Sequence, residues 1–394
     1  MTSPKKTLNL QDMQDAILGA HFYACGGGGA LVNGEDLLRA VSSYFPDEQS
    51  VCIEYLDIQD VKDTDTLPVL AAMGSPQKFL EKGYSKSPIT AFEQLEEATQ
   101  TRFTTLSPVE TGPVAYGMSL LVAAAKNIPI INGDGGGRAF PCLQLSTFAN
   151  VDLDHPISVS PAMLTSEKSL SEDGGVIRID CQSSTDVDAM TRGIISTSES
   201  FDHRASLASF PMTGRQLKQE NAVVADMLMK SIELGRDIRQ LVNDKLSCFS
   251  AIEKLAGSQL VMKGRLTNVE TKTVGGFDWV TLEYKEEKTN RKFTAISKNE
   301  NMLVWADDMT TPVAMAPDLI CCISSDATLM SNDEVIDAWE DDPESETLKN
   351  MAIFVLPASK EIDQPWFHKN FIEILQKLGY HGSYHTPIPM AKEK

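Results

Sequence analysis

Ile130-Ile131-Asn132-Gly133-Asp134-Gly135-Gly136-Gly137-Arg138-Ala139-Phe140-Pro141-Cys142 is the stretch on which the reading of this chain turns. It opens as the end of an apolar strand, Ile128-Pro129-Ile130-Ile131, and runs straight into four glycines. Around those glycines it sets one carboxylate, Asp134, and one guanidinium, Arg138. Glycine accepts positive φ and has no Cβ, so its backbone can approach a ligand closely. Open α/β sheets bind their ligands just beyond the carboxyl ends of the strands. The stretch therefore reads as one wall of a small-molecule site.

Upstream, strand and helix patterns alternate. Leu8 to Tyr23 reads as a helix and runs into Cys25-Gly26-Gly27-Gly28-Gly29, after which a second helix follows from Gly34 to Phe45. Val51 to Leu56 and Pro68 to Pro76 read as strands, the latter ending in a Gly74-Ser75-Pro76 loop. Thr90 to Thr101 is helical. Glu110 stands in the Ser107–Pro113 loop before a helix, Ala115 to Lys126, that is apolar all round and therefore buried. Alternation of this kind predicts a three-layer α/β domain with a mainly parallel sheet over residues 1–165. Residues 166–394 read as a β-rich domain, barrel- or sandwich-like, that includes a long helix at about 215–246.

Composition narrows the function. A formal net charge of −20 over 394 residues repels nucleic-acid phosphate. No run of about 18 apolar residues is present, so no membrane span is expected, and Met1 to Asn9 lacks a signal-peptide core. Seven scattered cysteines without a CxxC pair fit reduced thiols in a cytoplasmic protein. The partner expected is a small-molecule substrate. Buried apolar helices and broad β surfaces also lead us to expect a homo-oligomer.

The candidate chemistry gathers at the glycine loops. Asp134 and Glu110 could divide acid and base roles if burial split their pKa values. Arg138 could clamp a carboxylate, and Cys25 could act as a nucleophile at a helix N-terminus. Asn132, Ser75 and the amides of Gly26, Gly27, Gly28 and Gly29 complete the substrate-binding candidates. Each residue has a structural reading too. The carboxylates could cap helices, Arg138 could form an internal ion pair, and Cys25 and Cys142 could simply pack. Neither glycine run has the form of a nucleotide fingerprint, so no nucleotide cofactor is expected. Among the histidines only His381 and His385 stand at a metal-ligand spacing, and they lie in the polar tail. A divalent metal such as zinc is left open.

Several motifs arrive in a family's order: Cys25 to Gly29, Ala72 to Pro76, Pro108 to Gly112, Pro129 to Pro141, Phe210 to Gly214, Gly275-Gly276-Phe277, Asn299-Glu300-Asn301 and Ala316 to Ile320. With them the chain resembles the S-methyl thiohydantoin desulfurase family over roughly Leu8 to Pro357. The resemblance implies an α/β domain followed by a β-rich one, and hydrolysis of a five-membered cyclic ureide, a hydantoin- or thiohydantoin-like ring. The alternative is a non-catalytic binding or sensor protein built on the same pocket. Two positions depart from the pattern. Cys142 stands where similar proteins commonly have glutamate, and Cys25 where they often have Thr or Ser.

Overall fold

The Ile130–Ile131 strand lies parallel to Ile53–Leu56, whose other edge pairs antiparallel with Lys6–Leu8. The structure, a computed structural model, describes residues 5–74, 76–168, 171, 173–274 and 277–387. A five-stranded sheet runs beside this three-stranded one. Its order is Ser107–Pro108, Thr66–Gly74, Arg204–Thr213, Ala162–Ser166 and Val176–Ile179. Among the described residues of the two sheets only Ile53–Leu56 with Ile130–Ile131, and Thr66–Gly74 with Ser107–Pro108, pair as parallel strands. The expected mainly parallel sheet is thus a mixed one. The reason lies in the strands at 162–213. They return to the Thr66–Gly74 strand from later in the chain and pair antiparallel to it and to each other.

Helices cover these sheets. Pro113–Lys126 is buried from Pro113 through Ala123, as its uniformly apolar sequence predicts. Leu10–Tyr23 starts with a capping box, in which the Asn9 side chain accepts from the Asp12 amide (2.9 Å) and Asp12 accepts from the Asn9 amide (3.1 Å). It packs on Met227–Asn243, where Arg239 grips the buried Asp15 with two bonds of 2.6 and 2.9 Å.

The long helix expected at 215–246 is broken. Gly214–Leu217 forms one turn, Val224–Ala225 is a short strand, and only Met227–Asn243 is a full helix. The interruption has a purpose in the fold. Val224 and Ala225 pair with Asp134 and Gly133, so this segment braces the glycine loop from behind.

The β-rich region is a seven-stranded antiparallel sheet. It runs Ala314–Met315, Glu300–Ala306, Lys292–Lys298, Phe277–Glu286, Gln259–Val274, Met351–Leu356 and Leu319–Ser324. Its core combines Val280, Leu282, Phe293, Ile320 and Ile353. Among the described residues no helix is long and apolar enough to cross a membrane.

A buried junction ties this region to the first helix. Glu334, in the capping box that starts Asn332–Asp341, accepts from the Ser331 amide (2.9 Å), the Met330 amide (3.1 Å), the Leu31 amide (3.2 Å) and His21 Nε2 (2.8 Å). Burial alone would raise its carboxyl. The His21 ring and the Ser331 and Met330 amides outweigh that and hold it at about 2, below its ordinary 4.5. A depressed carboxylate stabilises the fold above its unfolded value, and that contribution is lost as pH falls from about 4.5 toward about 2. Glu334→Ala leaves His21 and three amides without an acceptor. The expected loss is roughly 3–5 kcal/mol at neutral pH. Urea unfolding at neutral and at acid pH checks this, since the gap between variant and wild type should narrow in acid.

Candidate active site

Three loops meet where the two regions touch. The carbonyl of Gly28 accepts from the Val114 amide (3.2 Å), which fastens the Gly26–Gly29 turn to the start of the Pro113–Lys126 helix. The Thr111 amide donates to the Arg138 carbonyl (3.3 Å), and the Gly135 amide to the Val109 carbonyl (3.1 Å). From the β-rich side, the Asn301 amide donates to the Cys25 carbonyl and the Asn332 amide to the Gly26 carbonyl, both at 2.8 Å. Gly28 (φ +68°) lies so close to Gly112 that a Cβ there would stand 3.1 Å from the Gly112 Cα. A Cβ on Gly27 would fall 2.1 Å from Glu300 Oε1. Only glycine lets the turn rest against that carboxylate.

A cavity of ≈ 80 Å³ opens at this junction, with Gly28, Gly29, Glu110, Cys142, Tyr84 and Glu300 among its walls. Glu110 is held by the Phe140 amide, which donates to its Oε2 (3.0 Å). Glu300 is 3% exposed, and its Oε2 has no hydrogen-bond partner among the described residues. Burial pushes Glu300 up to about 7, against the pull of the Arg138 charge. Burial, and then the Glu300 charge, push Glu110 well above the usual carboxylate range. The two carboxyl groups line one cavity, and the Glu300 charge holds back the ionisation of Glu110, so the two protons do not leave independently. Nothing among the described residues accepts from the amides of Gly28 and Gly29, so both remain available to a ligand.

Arg192 also lines the cavity, and Lys298 lies just behind it, outside the wall. Arg192 is paired with Asp188 (2.9 Å) and lies 3.9 Å above the Phe277 ring. The Lys298 ammonium sits 3.5 Å from the centre of the same ring, 7% exposed, and burial draws its pKa below the ordinary value. Cys142 lines the same cavity. Burial, and then Asp188, push its thiol up to about 12, which keeps it protonated.

The other sequence candidates have different surroundings. Asp134 is fully buried, and it accepts from Thr111 Oγ1 (2.5 Å), Tyr116 Oη (2.8 Å), and the Gly136 (3.0 Å) and Gly137 (2.7 Å) amides. All its lone pairs are turned to holding the loop, and it is absent from the cavity wall. Arg138, also fully buried, donates Nε to the Ala139 carbonyl (2.9 Å), Nη1 to the Pro317 (3.2 Å) and Asp318 (2.8 Å) carbonyls, and Nη2 to the Asn301 carbonyl (3.1 Å). In place of a substrate clamp it is a tie between the glycine loop and the β-rich sheet. Its charge still acts on the cavity carboxylates.

Cys25 has φ +55°, and its thiol points into the core toward the Tyr23 carbonyl (3.3 Å). Burial would raise that thiol, but Cys321, the Arg138 charge and the Ile320 backbone lower it further. With no exposed surface it has no path to a substrate in this structure. Asn132 bonds to Asp57 (2.7 Å), Asp226 (3.3 Å) and the Met229 amide (3.1 Å), which fixes the helix behind the loop. Ser75, and the Gly275-Gly276 motif, lie outside the described residues. His381 and His385 are in the tail, away from the cavity wall. No group of three or more His, Cys, Asp or Glu among the described residues is arranged to hold a metal ion.

Glu300 is the residue that the site reading of the sequence lacked. Its signal was the Asn299-Glu300-Asn301 triplet. Asn299 (φ +60°) makes the turn between two strands and is clamped by the backbone of Asp278, at 2.7 and 2.8 Å. A carboxylate just after such a turn is buried only because the sheet faces the Gly27 backbone.

Comparison with known proteins gives three findings. A family model described as "S-Me-THD-like, N-terminal domain" matches residues 11–171, and one described as "S-Me-THD-like, C-terminal domain" matches residues 182–337. A crystal structure of a protein from Chromobacterium violaceum, a structural-genomics target, is similar with a TM-score of 0.76. The likeness covers 96% of this chain and 99% of that one at 24% identity, which shows a shared fold. No curated protein matches the chain.

Proposed function

The chain belongs to the S-Me-THD-like family, the S-methyl thiohydantoin desulfurase-like proteins, and from that premise we propose that it is a hydrolase. It removes the sulfur substituent from a thiohydantoin-type ring in the Glu110–Glu300 cavity. The observation that carries this reading is the buried Glu300 Oε2, unpartnered beside a second raised carboxyl and two free glycine amides.

The roles follow from that arrangement. The ionised member of the carboxyl pair takes a proton from water, and the water oxygen bonds to the ring carbon that bears sulfur. The C=N electrons move to the ring nitrogen, where the Gly28 and Gly29 amides stabilise the developing charge and the protonated carboxyl supplies a proton. The tetrahedral carbon then expels the sulfur, and the C–S bond breaks. One water proton ends on the ring nitrogen and the other leaves with the thiol, so the pair returns to its starting state. Arg192 would hold an anionic ring substituent at the cavity wall, with the Lys298 charge behind it. Asp134 and Arg138 act on this chemistry only by holding its loops and, for Arg138, by its charge.

Incubation of the purified protein with S-methyl thiohydantoin tests the proposal. We expect stoichiometric release of methanethiol, followed with a thiol reagent, and appearance of the hydantoin by mass spectrometry. Saturable binding without either product would instead identify a sensor or binding protein and overturn the hydrolase reading.

A further inference from the structure

The seven-stranded sheet has an open edge at one end. The Gln259–Val274 strand pairs along its whole second half with Phe277–Glu286, but Met351–Leu356 covers its other side only from Gln259 to Gly264. Beyond that point, among the described residues, no strand lies on the outer side, and Glu270, Thr271, Lys272, Thr273 and Val274 are all exposed. A row of unpaired backbone N–H and C=O groups is a template for another strand.

The side chains say which strand. Glu270 and Lys272 are two residues apart, so they project from the same face of the strand. Neither has an ion-pair partner among the described residues; Lys272 only overhangs the Trp279 ring, 5.8 Å from its centre. If two copies of this edge pair antiparallel about a two-fold axis through Thr271, Glu270 of each copy stands directly opposite Lys272 of the other. The same register sets Val269 against Thr273 and Asn268 against Val274, and it brings no like charges together. A lysine alone on an edge deters pairing. A lysine and a glutamate spaced by two are self-complementary under a two-fold, which a foreign strand would match only by chance. The chain also carries a net charge of −20, so two copies repel at long range and need such a local match to associate.

We propose that the Asn268–Val274 edge is a homodimer interface, joined by antiparallel strand pairing centred on Thr271 with two reciprocal Glu270–Lys272 contacts. It continues the seven-stranded sheet across the dimer.

Sedimentation of the full-length protein across micromolar concentrations tests this, using the wild type, Glu270→Lys, Lys272→Glu and the double swap. The wild type should show a monomer–dimer equilibrium. Each single reversal places like charges opposite each other twice and should weaken association about tenfold or more. The double swap restores opposite charges and should return association to near the wild-type value. Circular dichroism and melting of each variant should match the wild type, because both positions are exposed. A wild type that stays monomeric, or a dimer that the single reversals leave unchanged, would overturn the proposal.

Discussion

Glu300→Gln is expected to lower kcat/KM for thiohydantoin hydrolysis by about 10³-fold or more, and at the same time to make the protein more stable above neutral pH. The two effects share one cause. Glu300 is almost wholly buried with one oxygen unpartnered, so its ionised form is costly and its pKa is raised to about 7 from 4.5. The sign is that of a raised group. Its proton stabilises the fold fully below 4.5, and that contribution is lost as pH rises through about 7. Glutamine keeps the shape that rests against Gly27 and never ionises. The gain above neutrality is at most roughly 3–4 kcal/mol, the interval from 4.5 to about 7 at about 1.4 kcal/mol per pH unit. Chemical unfolding and turnover, both measured on either side of neutrality, check the pair of effects. A carboxylate kept for structure alone would show the opposite, with turnover retained and stability unchanged or lower.

Arg138→Met should act on stability and not on substrate affinity. The guanidinium joins carbonyls of Ala139, Asn301, Pro317 and Asp318, all in the interior. Methionine keeps the unbranched stem but ends short of the guanidinium and leaves these acceptors without donors. Each unsatisfied buried group costs about 1–3 kcal/mol, so the summed loss is roughly 5 kcal/mol or more, comparable with the whole stability of a typical domain. Lysine at this position keeps the charge but lacks the planar fork that serves several carbonyls at once, so it should rescue only partly. Thermal melting and soluble yield read this out. A variant that folds with wild-type stability and shows only a raised KM would mean that Arg138 binds substrate after all.

The contrast between these residues shows what was legible in the sequence. The glycine runs and the Glu110 loop were readable as neighbours because local signals mark each one: a strand end, a helix start, a residue free of Cβ. They do converge, and Gly28 rests on Gly112. Which side of a loop faces the cavity is not a local property. Asp134 turns inward because Thr111, Tyr116 and its own loop amides surround it, and Val224 braces that loop from about 90 residues downstream. Cys25 turns inward for a similar reason, since the Asn301 amide holds its carbonyl. Glu300 lies on a distant strand that reads as ordinary sheet, and only packing against Gly27 buries it. The misread sheet and the broken helix have the same origin. Arg204–Thr213 and Val224–Ala225 carry ordinary local patterns, yet their partners, Thr66–Gly74 and Gly133–Asp134, lie far back in the chain.

In the proposed reaction, water activated by the Glu110–Glu300 pair replaces the sulfur of a thiohydantoin-type ring. The most direct measurement is turnover of S-methyl thiohydantoin in ¹⁸O-labelled water by the wild type and by Glu300→Gln, with product mass and thiol release followed together. The wild type should place one labelled oxygen in each hydantoin, matched by one equivalent of thiol, and Glu300→Gln should form both products at least about 10³-fold more slowly. Unlabelled hydantoin, or wild-type turnover in Glu300→Gln, would contradict the proposed reaction.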